Sequence, residues 1–323
     1  MAKRIFSLTV LLTLLLFLCC ACRPVSEQTP PSRQIVVGVV EHLSESSWRD
    51  RVHASIVEAA NELDVQLITI ETDRTLDAQI QAMRALITYQ VDAIVVSPLV
   101  LRGWDNVLRD AKAAGVPVLM VHRNVQTDLE DVVAAYIGAD YVEQGRMAAF
   151  YVREQRPPQS EQLLVMELHG NVGTSDTVER SRGIRGIFTY GGSYEIYHTV
   201  SCNYMYSRAR EAMAAHLLTG RLPDILISYS DSMTLGAIAA MEEAGIAPGD
   251  DIFILSYDGQ QDAIELLEQG KINCIIENDP NVGSAVMDCV MKLVSGQATQ
   301  DIYLESRLFD NTLDFSALAP QGY

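Results

Sequence analysis

Six polar clusters carry the side chains with chemical potential: Glu45-Ser46-Ser47-Trp48-Arg49, His122-Arg123, Thr174 to Arg180, Ser230-Asp231, Asp258-Gly259 and Glu277-Asn278. Each follows an apolar run, except that Arg180 sits where a helix should begin. Arginine offers paired donors in a fixed fork, carboxylates accept from neighbouring hydroxyls, and an aromatic face covers C–H surface. That combination suits a ligand bearing several hydroxyl groups. The candidate contacts are Ser46, Trp48, Arg49, His122, Arg123, Arg180, Ser230, Asp231, Asp258 and Glu277. Asp258 and Glu277 could in principle pair as two catalytic carboxylates. Yet no motif sets a general acid beside a nucleophile, and GNVGTS lacks the Gly-x-Ser-x-Gly spacing of a nucleophile elbow. No His/Cys spacing suits a metal, and no GxGxxG or phosphate-loop lysine marks a nucleotide, so neither metal nor cofactor is expected.

These residues need a scaffold, and the stretch Val91 to Arg123 shows its kind. The apolar runs Asp92 to Pro98 and Pro117 to His122 lack alternation, as strands buried on both faces do. Between them Trp104, Val107, Leu108 and Ala111 fall at helical spacing, and Gly115 with Pro117 stops the helix. This is a βαβ unit. Strands at Ile35 to Val40 and Val65 to Ile70, with helices at Val52 to Leu63 and Leu76 to Tyr89, precede it. A strand at Val132 to Ile137 follows. A helix from Asp140 to Glu154 then opens a second β-α series reaching Val294, with an extended tail at Ile302 to Leu308. The class is α/β with two lobes. In open α/β sheets the carboxyl ends of strands bind ligands, and the polar clusters lie there. Some candidates have plainer readings. Asp231 could cap its helix, Arg123 could pair structurally with Asp258 or Glu277, Trp104 packs, and Arg182 and Arg185 read as solvated.

The chain has 323 residues, enough for two lobes, and a formal charge of -18. Lys3, Arg4 and the apolar run Ile5 to Leu18 form an export segment too short for a comfortable membrane span. Removing residues 1–21 takes away those two cations, from -18 to -20. Such a surface excludes nucleic-acid binding. Cys22 after Ala21 resembles a bacterial lipobox, which implies cleavage before Cys22, lipid on its sulfur and attachment to the cell membrane outside the cytoplasm. Arg23 to Arg33 is polar and proline-containing and suits a tether. Cys202, Cys274 and Cys289 read as buried thiols.

Taken together, SESSWR at 44–49, the 91–123 unit, GNVGTSDTVERSRG at 170–183, SYSDSMTLGAIAAMEEAG at 228–245, SYDG at 256–259 and ENDPNVG at 277–283 resemble a known family. It is that of the periplasmic sugar-binding proteins of ABC importers, of the ribose- and galactose-binding type, closest to the galactofuranose-binding subgroup. The resemblance implies two Rossmann-like lobes of the type I periplasmic binding protein fold, joined by three crossovers near 138–140, 277–279 and 300. Lobe one would then be 34–138 plus 279–299, and lobe two 139–278 plus 300–323. It implies that Trp48 and Arg49 stack on and bind a sugar, that Arg123, Arg180 and Asp258 contact hydroxyls, and that Glu277 sits at the hinge. His122 stands where the family usually has Asp, and Ser230 where it has Asn, so the sugar is left open.

The function expected is an exported, lipid-anchored, monomeric receptor. It would pass a pentose, hexose or furanose sugar to an ABC permease by lobe closure. A sensor subunit for a chemoreceptor or membrane histidine kinase is the alternative. An enzyme is not expected, and the export segment argues against a repressor of this ligand fold.

Overall fold

The computed structural model describes residues 33–42, 46–157, 160–189 and 192–316. The export segment, Cys22, most of the tether, and Ser44 and Glu45 lie outside the described residues. The first lobe starts from β1 (Val36–His42), α1 (Ser47–Glu62), β2 (Gln66–Thr72), α2 (Leu76–Tyr89), β3 (Ala93–Val96), α3 (Asp105–Ala114), β4 (Val118–Val121) and β5 (Ala135–Ala139). The second contains α4 (Tyr141–Gln155), β6 (Leu163–His169), α5 (Ser175–Ile187), β7 (Tyr194–Ser201), α6 (Tyr206–Leu217), β8 (Ile225–Ser228), α7 (Asp231–Glu243), β9 (Phe253–Asp258), α8 (Gln261–Glu268) and β10 (Cys274–Glu277). The chain then returns as α9 (Gly283–Val294), packed on α1, and ends in β11 (Ile302–Leu304) and β12 (Leu308–Asp310).

Two six-stranded sheets result, ordered β11-β5-β4-β3-β1-β2 and β12-β10-β9-β8-β6-β7. All pairings are parallel except β10 with β12. The Val- and Ile-rich strands β3, β4, β8 and β10 are buried at every residue, as parallel strands sandwiched by helices must be. Both lobes register their first strand in the same way. The Asp92 carboxylate accepts from the Val36 N–H at 2.8 Å, and Asp224 does the same for Leu164 at 2.7 Å. In each lobe the strand order reverses beside the first strand, between β1 and β3 and between β6 and β8. A crevice opens there at the carboxyl ends.

The last crossover differs from its expected place near residue 300. Ile302–Leu304 pairs with β5 in the first sheet, and the chain changes lobe over 305–307 before Leu308–Asp310 joins β10. Two three-residue strands are too short for a pattern to separate them in sequence. Arg185 is exposed, as expected, and its guanidinium also makes two bonds to the fully buried Glu167, at 3.1 and 2.7 Å. A buried carboxylate needs such a partner. Cys202, Cys274 and Cys289 are free and buried.

Helices α4 and α5 meet through glycines. A Cβ on Gly145 would lie 2.2 Å from the Arg180 carbonyl oxygen, and one on Gly183 would lie 2.2 Å from that of Val142. This close approach seats Arg180. Gly145→Ala should therefore cost about 1–3 kcal/mol in urea unfolding. Gly186→Ala, with nothing within 4 Å, should be neutral or stabilise by up to ~1 kcal/mol.

Candidate functional site

Strand ends and helix starts from both lobes converge on one cleft, which encloses about 610 Å³ when the open solvent at its mouth is included. Eight of the ten sequence candidates line it: Ser46, Trp48, Arg49, His122, Arg123, Arg180, Ser230 and Asp258. Ser46 and Ser230 cap α1 and α7, accepting from the backbone N–H of Arg49 and Met233. The other two candidates do not line it. The Asp231 carboxylate turns behind the wall, where it accepts from the N–H groups of Gly259 and Gln260 at 2.6 and 2.7 Å and from the Ser256 hydroxyl. Glu277 is held by Arg307, whose Nε donates to it at 2.6 Å where the chain crosses between lobes.

The cleft also takes His42, Arg74, Tyr141, Asn171, Asp176, Asn203, Tyr204 and Asn278, which the sequence did not single out. Asp176 lies within the polar stretch 174–180 and Asn278 follows Glu277, so those two had a signal. Tyr204 did not: consecutive left-handed residues Asn203 and Tyr204, φ 55° and 62°, carry it to the cleft.

The lobes touch across the cleft through charge and hydrogen bonds. Arg123 Nε donates to Asp176 Oδ2 at 3.1 Å, and the Arg123 guanidinium lies 5.5 Å from the Tyr204 ring centre. The Asn124 N–H donates to Ser175 Oγ at 2.9 Å, and the Ser47 hydroxyl to Gln260 Oε1 at 2.9 Å. Trp48, packed in the first-lobe core, donates from Nε1 to the Asn278 carbonyl at 2.5 Å, while its ring meets His122 edge-on at 4.6 Å. Arg180 lies between the rings of Tyr257 and Tyr141, at 4.3 and 4.9 Å, and donates to Gln144 Oε1 and the Tyr229 carbonyl. Gln144 Nε2 in turn donates to the Glu277 carbonyl and to Ser306 Oγ, so one side chain ties the Arg180 seat to two crossovers.

Several buried polar atoms around the cleft have no partner among the described residues: Nδ1 and Nε2 of His122, Nη1 of Arg123, Nη2 of Arg180, Oδ1 of Asn278 and Nδ1 of His42. Buried polar groups in folded proteins are otherwise nearly always paired, so such a concentration marks a place where a ligand supplies the partners. Electrostatics fix which roles each group plays. Burial would raise Asp176, but Arg123 and Arg180 override it and hold its carboxyl at about 2, charged. Burial, then Arg49 and Arg123, drive His122 down to about 3, so its imidazole is neutral, with one donor and one acceptor. Burial raises Asp258, and the neighbouring Asp231 adds to it. With Asn203 and Tyr204, two further cleft residues hold unusual backbones: His122 at φ 57° and Asp258 at φ 114°. Positions of this kind gather at functional sites.

The family described as a periplasmic binding protein domain matches residues 37–298. The galactofuranose-binding protein YtfQ of Escherichia coli (strain K12) is 27% identical over 261 residues, covering 80% of this chain and 81% of that one. A Mycobacterium smegmatis protein solved in complex with β-D-fucofuranose superposes with a TM-score of 0.82 at 32% identity, covering 86% of this chain and 92% of that one. The periplasmic component of the arabinose ABC transporter of Shewanella sp. ANA-3, bound to L-arabinofuranose, gives 0.80 at 28%, covering 86% and 92%. The chain belongs to the periplasmic binding protein domain family and has its type I fold. It is a binding protein rather than an enzyme.

His122 makes stability depend on pH. The unfolded chain takes up a proton near pH 6.5, whereas the folded site refuses it until about 3. The unfolded state therefore binds more protons in that window, and stability falls as pH drops from 6.5 toward 3. His122→Asn, which suits the left-handed backbone, should lower the slope of unfolding free energy between pH 6 and 4 by up to ~1.4 kcal/mol per pH unit. Urea titrations at those pH values check this.

Proposed function

We propose that the protein is an extracytoplasmic sugar receptor of an ABC importer, that it binds one monosaccharide between its lobes, and that it hands this to a permease. The observation that carries the reading is the ring of partnerless polar atoms on both sides of one cleft. The arginines donate, Asn278 accepts, and neutral His122 does one of each. A hydroxyl both donates and accepts, so a ring of hydroxyls answers a mixed set better than a purely donating or accepting ligand does. The Trp48 edge, with Tyr141 and Tyr204, gives apolar surface for the C–H side of the ring. The relatives named for galactofuranose and arabinofuranose, and the fucofuranose complex, support a furanose form.

Ser46, Trp48, Arg49, His122, Arg123, Arg180, Ser230 and Asp258 act as direct contacts in this reading, with Asp176 and Asn278 beside them. Asp231 shapes the Asp258-Gly259 turn from behind, and Glu277 pins the crossover. Ligand contacts to both lobes favour the closed form, and the permease reads that form. Lipid on Cys22 holds the receptor, as a monomer, at the membrane.

A thermal-shift panel of pentoses, hexoses and furanose-rich sugars tests this. A sugar at a hundredfold over its Kd should add ~2.7 kcal/mol, a Tm rise of roughly 5 °C. Arg180→Gln should abolish the response while leaving a folded circular-dichroism spectrum. A panel without any response would overturn the sugar reading.

A further inference from the structure

The cleft holds more positive charge than its own carboxylates answer. Four guanidiniums, Arg49, Arg74, Arg123 and Arg180, line it together with two carboxylates, Asp176 and Asp258; Arg74 is not without a partner of its own. Asp176 is committed to Arg123, with an ion pair at 3.1 Å, and also accepts from the Tyr204 hydroxyl at 2.7 Å. Asp258 faces Arg180 electrostatically and receives Asn278 Nδ2 at 3.4 Å. Arg49 is left over. Its guanidinium reaches only the Ser97 hydroxyl, at 3.5 Å, and lies 5.8 Å from the Trp48 ring centre; among the described residues it has no ion pair. Among the described residues the other nearby carboxylate, Glu41, is engaged by His53 Nδ1 at 2.8 Å. Arg49 is half-buried, and desolvation with the like charge of Arg123 pushes its pKa down to about 10.

The two histidines beside it do nothing to relieve this. His42 and His122 are neutral, and each has a partnerless ring nitrogen at the cleft. The whole chain is strongly acidic, at -18, so a basic cleft runs against its own surface. Enclosing a further neutral ligand would remove water from Arg49 and leave a desolvated charge without a counter-ion, an arrangement proteins seldom keep.

We infer that the natural ligand is an acidic monosaccharide, a sugar bearing one carboxylate, which Arg49 takes through its two-pronged donor face while the imidazole of His122 bonds the adjoining hydroxyl. The inference rests on the sugar-receptor reading and narrows it. The planar fork of Arg49, without a carboxylate partner among the described residues, matches the two oxygens of one carboxylate.

Isothermal titration of the purified protein at pH 7 tests this. The probes are D-galacturonate and D-glucuronate, their neutral parents D-galactose and D-glucose, and D-galactose 6-phosphate. At least one uronate should bind about 30-fold or more tighter than its parent, the size expected when a half-buried charge gains a partner that shuts out water. Arg49→Gln should remove most of that preference, and Arg49→Lys should keep part of it. Should the Arg49→Gln protein not fold, the wild-type ratio of acid to parent still decides. Neutral sugars binding as tightly as the acids would overturn the carboxylate inference and leave the sugar receptor standing. So would a preference for the phosphate ester. No binding by any of the five would overturn the carboxylate inference, whereas the sugar reading falls only with a null result over the wider panel of pentoses, hexoses and furanose-rich sugars.

Discussion

The arrangement hangs on one charge pair. Arg123 and Asp176 come from different lobes, each is nearly inaccessible to water, and they meet at 3.1 Å. Neither tolerates burial alone, because a lone guanidinium or carboxylate stripped of water costs several kcal/mol. They can be dry only together, and only with the lobes closed. Opening the cleft returns both to water, where their hydration replaces the lost attraction. The pair therefore contributes little net free energy to closing. It fixes instead the register in which the lobes meet, which the Asn124–Ser175 and Ser47–Gln260 bonds then follow. A ligand that bonds both lobes adds the differential affinity that shifts the balance.

The connection between cleft and hinge is equally physical. Gln144 holds the Arg180 guanidinium on one side and the Glu277 carbonyl and Ser306 hydroxyl of two crossovers on the other. Trp48 bonds the Asn278 carbonyl at the remaining turn beside the second crossover. Residues of the cleft are thus bonded directly to the segments that cross between the lobes. No long relay through the cores is needed, and each lobe can move as a packed body.

Much of this was legible in the chain. Apolar runs without alternation marked the buried parallel strands, and polar pairs at their ends, such as His122-Arg123, marked the cleft. What sequence order could not supply was direction. Ser230 and Asp231 are neighbours, yet the helix cap turns one to the cleft and the other to the Gly259 and Gln260 amides behind it. Glu277 reads as a ligand contact until Arg307, thirty residues on, takes both its oxygens. Asp176, Tyr141 and Tyr204 were passed over because their importance comes from the opposite lobe, and no periodicity within one lobe records that juxtaposition.

The backbone at His122 bears on how such a receptor changes its diet. With φ at 57°, position 122 excludes β-branched residues and favours Asn, Asp, His or Gly. Those permitted side chains differ sharply in what they offer: an anion, a neutral amide, an imidazole or nothing. A single codon change can therefore reverse the polarity that the cleft presents to a ligand without disturbing the turn that carries it. The same conformational restriction that narrows the alphabet at this position makes it an evolutionary selector, where ligand preference drifts while the scaffold stays put.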